Sequence, residues 1–240
     1  MDRVTAETGS QELDSQRELT VHLNGVELVL LAERGVYWPE QQALFVADTH
    51  FGKEASFQKQ GIAAPRGGMT ATLAALDRML TSTQATRLIV LGDLFHARCS
   101  FAAEVRSEFQ DFLQQHAAIS WMLIEGNHDT QAGKLPREWG IEVVQPGRFM
   151  AGLLLHHQPV DFEPQLGSTD GASLQLCGHL HPALNVRSGV ERIGRLPCFW
   201  LNKHRLVLPA LGAFTGNLVV TPEPNDRVWL VVESQVIPFF

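Results

Sequence analysis

Apolar and polar positions alternate between Leu19 and Leu31, on both sides of the pair Asn24-Gly25. A period of two is typical of a strand with one buried face. Asn-Gly is a favoured pair for the two-residue turn of a β-hairpin. The start of the sequence therefore predicts a β-hairpin.

Helical spacing replaces this alternation in two later segments. Leucine and methionine side chains recur at intervals of three and four between Met69 and Leu80, which predicts an amphipathic helix. The same spacing of apolar side chains predicts a second helix from Phe101 to His116, with Ser100 as its N-cap.

Short apolar runs predict further strands at residues 43–47, 87–91, 119–124, 141–144, 149–155, 174–177, 218–220 and 228–232. Strands alternate with helices in the first half of the chain, whereas the second half is rich in strands. This order predicts an α/β protein in which two sheets pack together and helices lie outside them.

Five short polar blocks follow apolar runs, and each begins where a predicted strand ends. The blocks are Asp48-Thr49-His50, Gly92-Asp93-Leu94-Phe95-His96, Gly126-Asn127-His128-Asp129, His156-His157 and Gly178-His179-Leu180-His181-Pro182. Asp, Asn and His supply oxygen and nitrogen ligands for divalent metals. Strands that place such side chains at one crevice are the usual basis of an α/β active site. The blocks therefore predict a metal-dependent hydrolase.

The series D-x-H, G-D, G-N-H-D, a lone His and G-H-x-H resembles the signature of the calcineurin-like metallophosphoesterases. The chain is most similar to one subfamily, the bacterial ligase-associated DNA damage response phosphoesterases. That similarity is carried by Asp48 to Lys53, Gly61 to Gly67, Gly92 to His96, Gly178 to Ala183 and Leu208 to Gly216. The resemblance implies a four-layer α/β/β/α sandwich, in which two mixed sheets are flanked by helices.

The resemblance also implies the roles of the polar blocks. One metal ion is expected to be held by Asp48, His50 and His181, a second by Asn127, His157 and His179, and Asp93 is expected to bridge them. The family uses the position of His128 for catalysis, where the imidazole donates a proton to the leaving oxygen or stabilises charge on the phosphate. Asp129 follows it, and we expect its carboxylate to orient the His128 ring.

Two adjacent histidines compete for one place among the ligands. His156 and His157 follow each other on a predicted strand, so their side chains point to opposite faces and only one can be a ligand. We favour His157 because the subfamily has His, any residue and Pro, which matches His157-Gln158-Pro159. His96, Lys53 and Arg66 are further candidates, either for contact with the substrate phosphate or for support of the ligands.

The ligand types limit the metal. Imidazole, carboxylate and amide groups without a thiolate are compatible with Mn, Fe, Zn or Co, and unsuited to Ca. The resemblance favours two manganese ions.

Composition adds limits on organisation and compartment. The 240 residues contain 45% hydrophobic side chains, which suffices for one substantial core. We predict a flexible N-terminal tail at residues 1–18 and a single domain at residues 19–240. Three cysteines without a C-x-x-C pair indicate a reducing, cytoplasmic setting. No apolar run approaches the ~20 residues that span a bilayer, so we expect no membrane contact.

Several functions are compatible with this pattern. The first is cleavage of phosphodiester bonds in DNA or a nucleotide, in which case the resemblance implies a DNA ligase, a helicase and an exonuclease-like protein as partners. The net charge of -7 counts against tight nonspecific DNA binding. The alternatives are a small-molecule phosphatase or nucleotide pyrophosphatase, and a non-catalytic scaffold. Retention of the complete ligand set makes the scaffold the weakest of the three.

Overall fold

The computed structural model describes residues 17–59, 61, 67–97, 102–165, 171–188 and 191–239. Seven strands of this part of the chain form a first mixed sheet, in the order of the sequence. They are β1 (Glu18–Leu23), β2 (Val26–Leu31), β3 (Val36–Trp38), β4 (Ala43–Val46), β5 (Arg87–Leu91), β6 (Ser120–Ile124) and β7 (Glu142–Val144). The sheet is antiparallel from β1 to β4 and parallel from β4 to β7.

The second sheet contains the nine strands of the second half of the chain. They are β8 (Arg148–Met150), β9 (Leu153–Leu155), β10 (Leu174–Cys177), β11 (Pro182–Ser188), β12 (Glu191–Asn202), β13 (Arg205–Val207), β14 (Leu218–Val219), β15 (Arg227–Val232) and β16 (Gln235–Pro238). The order is β14-β11-β12-β13-β10-β9-β8, and β15 pairs with β12 and β16. The strands β9, β10 and β13 are parallel to one another.

The helices of the described chain all precede the second sheet. They are α1 (Lys53–Lys59), α2 (Gly68–Thr83), α3 (Ala103–Gln115) and α4 (Asn127–Ala132), with single 3-10 turns at Pro39–Gln41 and Arg137–Trp139. Within the described ranges, none of the helices has both the length and the apolar character needed to cross a membrane.

Two apolar layers hold the sheets and helices together. Between the sheets, Phe45, Ile89 and Leu91 of the first sheet belong to one buried cluster with Leu176 and Phe199 of the second. On the other face of the first sheet, a second buried cluster joins its strands to α2 and α3. The predicted α/β class with two packed mixed sheets is confirmed, and in the described part of the chain α2 and α3 cover the outer face of the first sheet.

Several local predictions can be compared with the structure. The hairpin pairs β1 with β2 around Asn24-Gly25, as predicted. One strand was predicted over residues 149–155, which is wrong, because a turn at Ala151-Gly152 divides it into the antiparallel pair β8 and β9. The N-cap of α3 is Ala102 and not Ser100, which lies outside the described residues.

The domain boundaries stay a prediction. Most of the predicted tail, residues 1–16, lies outside the described residues, and Glu18 already belongs to β1. The core that both sheets share supports a single domain from residue 19 to residue 240.

Candidate metal centre

Five strands deliver the candidate ligands, and each does so from its carboxyl end. In the first sheet, Asp48, Asp93 and Asn127 follow the neighbouring parallel strands β4, β5 and β6. In the second sheet, His157 follows β9 and His179 follows β10, which are also parallel neighbours. Parallel strands end at the same edge of their sheet, so the five loops converge.

A first group of candidate ligands consists of Asp48, His50 and His181. One ligand atom from each lies within 4.8 Å of the others. Nε2 of His181 is 3.3 Å from Oδ1 of Asp48. The carboxylate and one imidazole are buried and the second imidazole is half-buried, so the group is largely shielded from solvent.

A second group consists of Asp93, His157 and His179, whose ligand atoms also lie within 4.8 Å of one another. Nε2 of His157 is 3.0 Å from Oδ1 of Asn127 and 3.1 Å from Nδ1 of His179. The opposite ring nitrogen of His157 donates to the carbonyl oxygen of Leu91 at 2.9 Å, which fixes the tautomer that leaves Nε2 facing the group.

Asp93 lies between the two groups. Its Oδ2 is 3.7 Å from Nε2 of His50 in the first group and 3.5 Å from Nε2 of His157 in the second. Its other oxygen accepts a hydrogen bond from the backbone N–H of His128 at 2.9 Å. This carboxylate is therefore placed where one side chain can contact two cations.

The two adjacent histidines have different surroundings. The side chain of His157 is 2% exposed and faces Asp93 and Asn127. His156 is half-buried, and its Nδ1 accepts a hydrogen bond from the backbone N–H of Gln158 at 3.0 Å. The structure brings His157 to the other candidate ligands and engages His156 with its own loop.

Two buried polar atoms indicate that the site is built for cations. Nε2 of His50 and Oδ1 of Asp48 are buried and make no well-aligned hydrogen bond in the described part of the chain, although Nε2 of His181 lies 3.3 Å from the Asp48 oxygen. A buried carboxylate oxygen without a partner is costly, and a bound cation would compensate that cost. The donor set of carboxylates, imidazoles and one amide fits a divalent metal of the Mn, Fe, Zn or Co type.

The charges of the site also favour a bound cation. Although burial opposes protonation of His157, hydrogen bonding and charge from Asp93 raise its pKa to about 9. Burial likewise opposes ionisation of Asp93, but His157 outweighs that effect and lowers the pKa of Asp93 to about 2. Without metal, the carboxylates thus hold a proton on an imidazole that would lie against a cation.

Several candidate ligands have an uncommon backbone conformation. Asp48, His50, Asp93, His179 and His181 all have positive φ, between 45° and 69°. Residues other than glycine enter this region at a cost, and such residues cluster at functional sites. The close approach of the loops adds a second constraint, because a Cβ at Gly178 would lie 2.5 Å from Oδ2 of Asp48.

His128 lies at the edge of this site. Its Nδ1 donates to the carbonyl oxygen of His96 at 2.7 Å, which leaves Nε2 directed inward, 4.0 Å from Oδ2 of Asp93. The side chain is 30% exposed, so Nε2 can contact both solvent and a bound molecule. This is the geometry of a group that can exchange a proton at the site.

The predicted role of Asp129 requires correction. Its carboxylate accepts from the backbone N–H groups of Asp93 at 2.8 Å, Leu94 at 2.9 Å and Gly126 at 2.9 Å. Asp129 is the third residue of α4, and from there its side chain turns back to the loops before the helix instead of toward the His128 ring. It therefore ties the loop of Asp93 to the loop of Asn127, while a backbone carbonyl orients His128.

Two of the three further candidates lie at the site. His96 stacks on His128 with ring centroids 4.8 Å apart, and its Nδ1 is 3.4 Å from Nδ1 of His50. Burial lowers the pKa of His96 to about 4, with a smaller contribution from Lys53. Lys53 lines a small cleft together with His50. Arg66 lies outside the described residues.

A loop between β13 and β14 completes the site; the sequence marked it only as a segment of the subfamily resemblance and did not indicate which ligands it supports. The N–H of Gly212 donates to the carbonyl oxygen of Asp48 at 3.0 Å, and a Cβ on Gly212 would lie 2.3 Å from the carbonyl oxygen of Thr49. The carbonyl oxygen of Gly216 accepts from Nδ1 of His181 at 2.7 Å. The loop thus supports two residues of the first ligand group.

Comparison with known proteins adds independent observations. The profile of the calcineurin-like phosphoesterase family matches residues 42–153, a range that contains the first three polar blocks. Among solved structures, the nuclease MPE of Pseudomonas putida is 36% identical in sequence with a TM-score of 0.78. The match covers 92% of this chain and 100% of that protein.

A phosphoesterase of E. coli, Yfce, is 14% identical with a TM-score of 0.39, over 80% of this chain and 88% of that protein. A search of curated protein sequences finds no match to the chain.

Proposed function

Since the chain belongs to the calcineurin-like phosphoesterase family and is a metal-dependent hydrolase, we propose that it cleaves phosphodiester bonds in DNA with two bound metal ions. One observation carries the proposal. Two groups of ligand atoms meet at a single carboxylate, that of Asp93, which lies 3.7 Å from His50 and 3.5 Å from His157. Two cations that share a carboxylate are the usual arrangement for phosphodiester hydrolysis.

The ligands divide as follows in this proposal. One ion would be held by Asp48, His50 and His181, the other by Asn127, His157 and His179, and Asp93 would serve both. When bound, such ions polarise a phosphoryl oxygen and lower the pKa of water. We favour manganese, with Fe, Zn and Co as the other metals that suit these donors.

The protein's own groups supply the remaining chemistry. His128 donates a proton from Nε2 to the leaving oxygen, because the His96 carbonyl keeps Nδ1 engaged and the ring turned inward. His96 and Lys53 lie beside the site, and we assign them to contact with the substrate phosphate or to support of His50 and His128. The same role for Arg66 stays a prediction.

The sequence relationship supports DNA as the substrate, since the chain is 36% identical to a nuclease over 92% of its length. By its resemblance to the ligase-associated subfamily, we place the protein in DNA repair in the cytoplasm. A DNA ligase, a helicase and an exonuclease-like protein are the proposed partners.

Substrate preference tests the proposal. We would compare single-stranded DNA, duplex DNA, a cyclic nucleotide, a nucleotide pyrophosphate, bis(p-nitrophenyl) phosphate and p-nitrophenyl phosphate in the presence of Mn²⁺. We expect hydrolysis of DNA and of the diester to exceed hydrolysis of the monoester. Activity confined to monoesters or to nucleotide pyrophosphates would refute the DNA assignment and favour a small-molecule phosphatase or pyrophosphatase.

A matched pair of variants shows whether the activity belongs to this site. His157→Ala should abolish hydrolysis of every substrate, and His156→Ala should retain it, because only His157 faces the candidate ligands. If both variants retained activity, the measured hydrolysis would come from another site or another protein.

A further inference from the structure

Phe214 combines three features that its packing alone does not require. The residue is 41% exposed. Its φ is 60°, a conformation that is unusual for a bulky aromatic residue. It also lines the same small cleft as His50 and Lys53. An exposed aromatic ring held at a cost beside an active site suggests a function.

The loop that carries Phe214 is fixed to the site at both ends. Before it, the N–H groups of Leu211 and Gly212 donate to the carbonyl oxygens of Ala47 and Asp48, at 2.9 and 3.0 Å. After it, His181 donates from Nδ1 to the Gly216 carbonyl, and its own carbonyl oxygen accepts from Leu218. The ring therefore keeps a defined position relative to the first group of ligands.

The surroundings of the ring include Lys53, a candidate contact for the substrate phosphate. Its Cε2 lies 2.8 Å from the point that a Cβ on Gly68 would occupy, so the ring rests on the start of α2. Lys53 contributes a cation to the same cleft. Burial lowers the pKa of Lys53, and the nearby charges of Asp93 and Asp48 offset part of that effect. The cleft also contains Glu54, whose carboxylate accepts from the N–H of Gly68 at 2.9 Å, and it is too narrow for a nucleotide. A nucleotide would therefore lie at its mouth, with the base against the exposed face of the ring and the phosphate toward Lys53.

We propose that Phe214 is a positioning residue on which a nucleobase next to the scissile phosphate stacks. The inference rests on the proposed function. Stacking of this kind accepts any base, so the contact would position the strand without selecting a sequence.

The test compares two strands with the same phosphates. One is an oligothymidylate, and the other is an oligomer of the same length in which every sugar is abasic. We would measure kcat/KM for both strands with the wild type and with Phe214→Ala, Phe214→Leu and Phe214→Trp. Phe239, which is 50% exposed and follows β16, provides the matched control Phe239→Ala.

The expected result is a difference between the strands. Phe214→Ala should lose roughly 5- to 150-fold more kcat/KM on the thymidine strand than on the abasic strand, as expected for one lost stacking contact. Phe214→Leu, which keeps an apolar side chain against Gly68, should show a similar difference, whereas Phe214→Trp and Phe239→Ala should behave as the wild type does.

Other results would overturn the inference in distinguishable ways. Equal losses on both strands in Phe214→Ala, with recovery in Phe214→Leu, would show that the ring only packs the loop. Unchanged kinetics on both strands would show that no base contacts it. If the wild type cleaves neither strand while it hydrolyses other phosphate esters, the proposed DNA substrate itself is wrong.

Discussion

Replacing Asp129 by Asn changes one atom of the carboxylate and tests whether it ties the ligand loops together. Oδ2 accepts from Asp93 and Gly126, and Oδ1 accepts from Leu94. The amide keeps only one oxygen. In its better orientation that oxygen retains the bonds from Asp93 and Gly126, and the new NH2 group faces the buried N–H of Leu94.

The cost follows from these contacts. An unsatisfied buried donor costs about 1–3 kcal/mol, and two hydrogen bonds that lose a charged acceptor weaken by about 1 kcal/mol each. Burial of a neutral amide in place of a carboxylate offsets part of this. We therefore expect Asp129→Asn to lower the free energy of unfolding by about 2–4 kcal/mol. We also expect the affinity for Mn²⁺ to fall by roughly 10- to 100-fold, as for other groups that support ligands.

Urea unfolding of the chelator-treated protein and titration with Mn²⁺ measure the two effects. Asp111→Asn, on the exposed side of α3, makes the same chemical change without the contacts and serves as the control. A variant that matches the control in stability and Mn²⁺ affinity would refute this reasoning. If only kcat fell, Asp129 would act on His128, as the sequence alone suggested.

Three further predictions concern the metal site. Asp93→Asn should abolish activity and remove more than one of the two bound metal ions, because both cations lose a ligand. Metal analysis measures this, and two tightly held ions in the variant would exclude a bridging role for Asp93. Mn²⁺ binding to the chelator-treated protein at pH 8 should release about one proton, because the raised pKa of His157, about 9, keeps its ring protonated until a metal displaces the proton. The release should vanish well above pH 9. Calorimetry in buffers of different ionisation enthalpy measures the released protons, and no release at pH 8 would contradict the prediction. His128→Ala should keep both metals and lose roughly 10²- to 10⁴-fold in kcat, with a smaller loss for esters of nitrophenol than for DNA, because a good leaving group needs little protonation. Equal losses for both substrates would indicate that His128 stabilises the phosphate by its charge.

The sequence predicts well which candidate ligands come together, and it predicts less well how they are arranged. Asp48, Asp93, Asn127 and His179 each follow an apolar run, and the carboxyl ends of parallel strands converge whatever the details of the loops. The strands β11, β12 and β13 were not predicted. Charged side chains and Pro197 interrupt β11 and the first part of β12, and the apolar runs at residues 198–201 and 206–208 were overlooked.

The error at Asp129 has a physical cause that a closer reading of the pattern could have found. Adjacency in the sequence suggested contact with the His128 ring. A helix start with an acidic residue at its third position, however, usually turns that side chain back to the unpaired N–H groups before the helix. In G-N-H-D, Gly126 precedes α4 and Asp129 is that third residue, so the same letters that indicate ligands also encode a helix cap.

Positive φ at Asp48, His50, Asp93, His179 and His181 has no signature in the sequence, because none of these residues is glycine. Such a conformation persists only where the surroundings enforce it. Here the loops enforce it on one another: the N–H of Asp48 donates to Gly92, that of His50 to Asp93, and that of Gly178 to His157, at 3.2, 2.9 and 2.9 Å. These bonds join loops of neighbouring strands within each sheet, and the N–H of His179 donates to Oδ2 of Asp48 across the two sheets at 2.8 Å. The ligand positions therefore depend on the packing of both sheets, and the metals would enter a site whose backbone is already set.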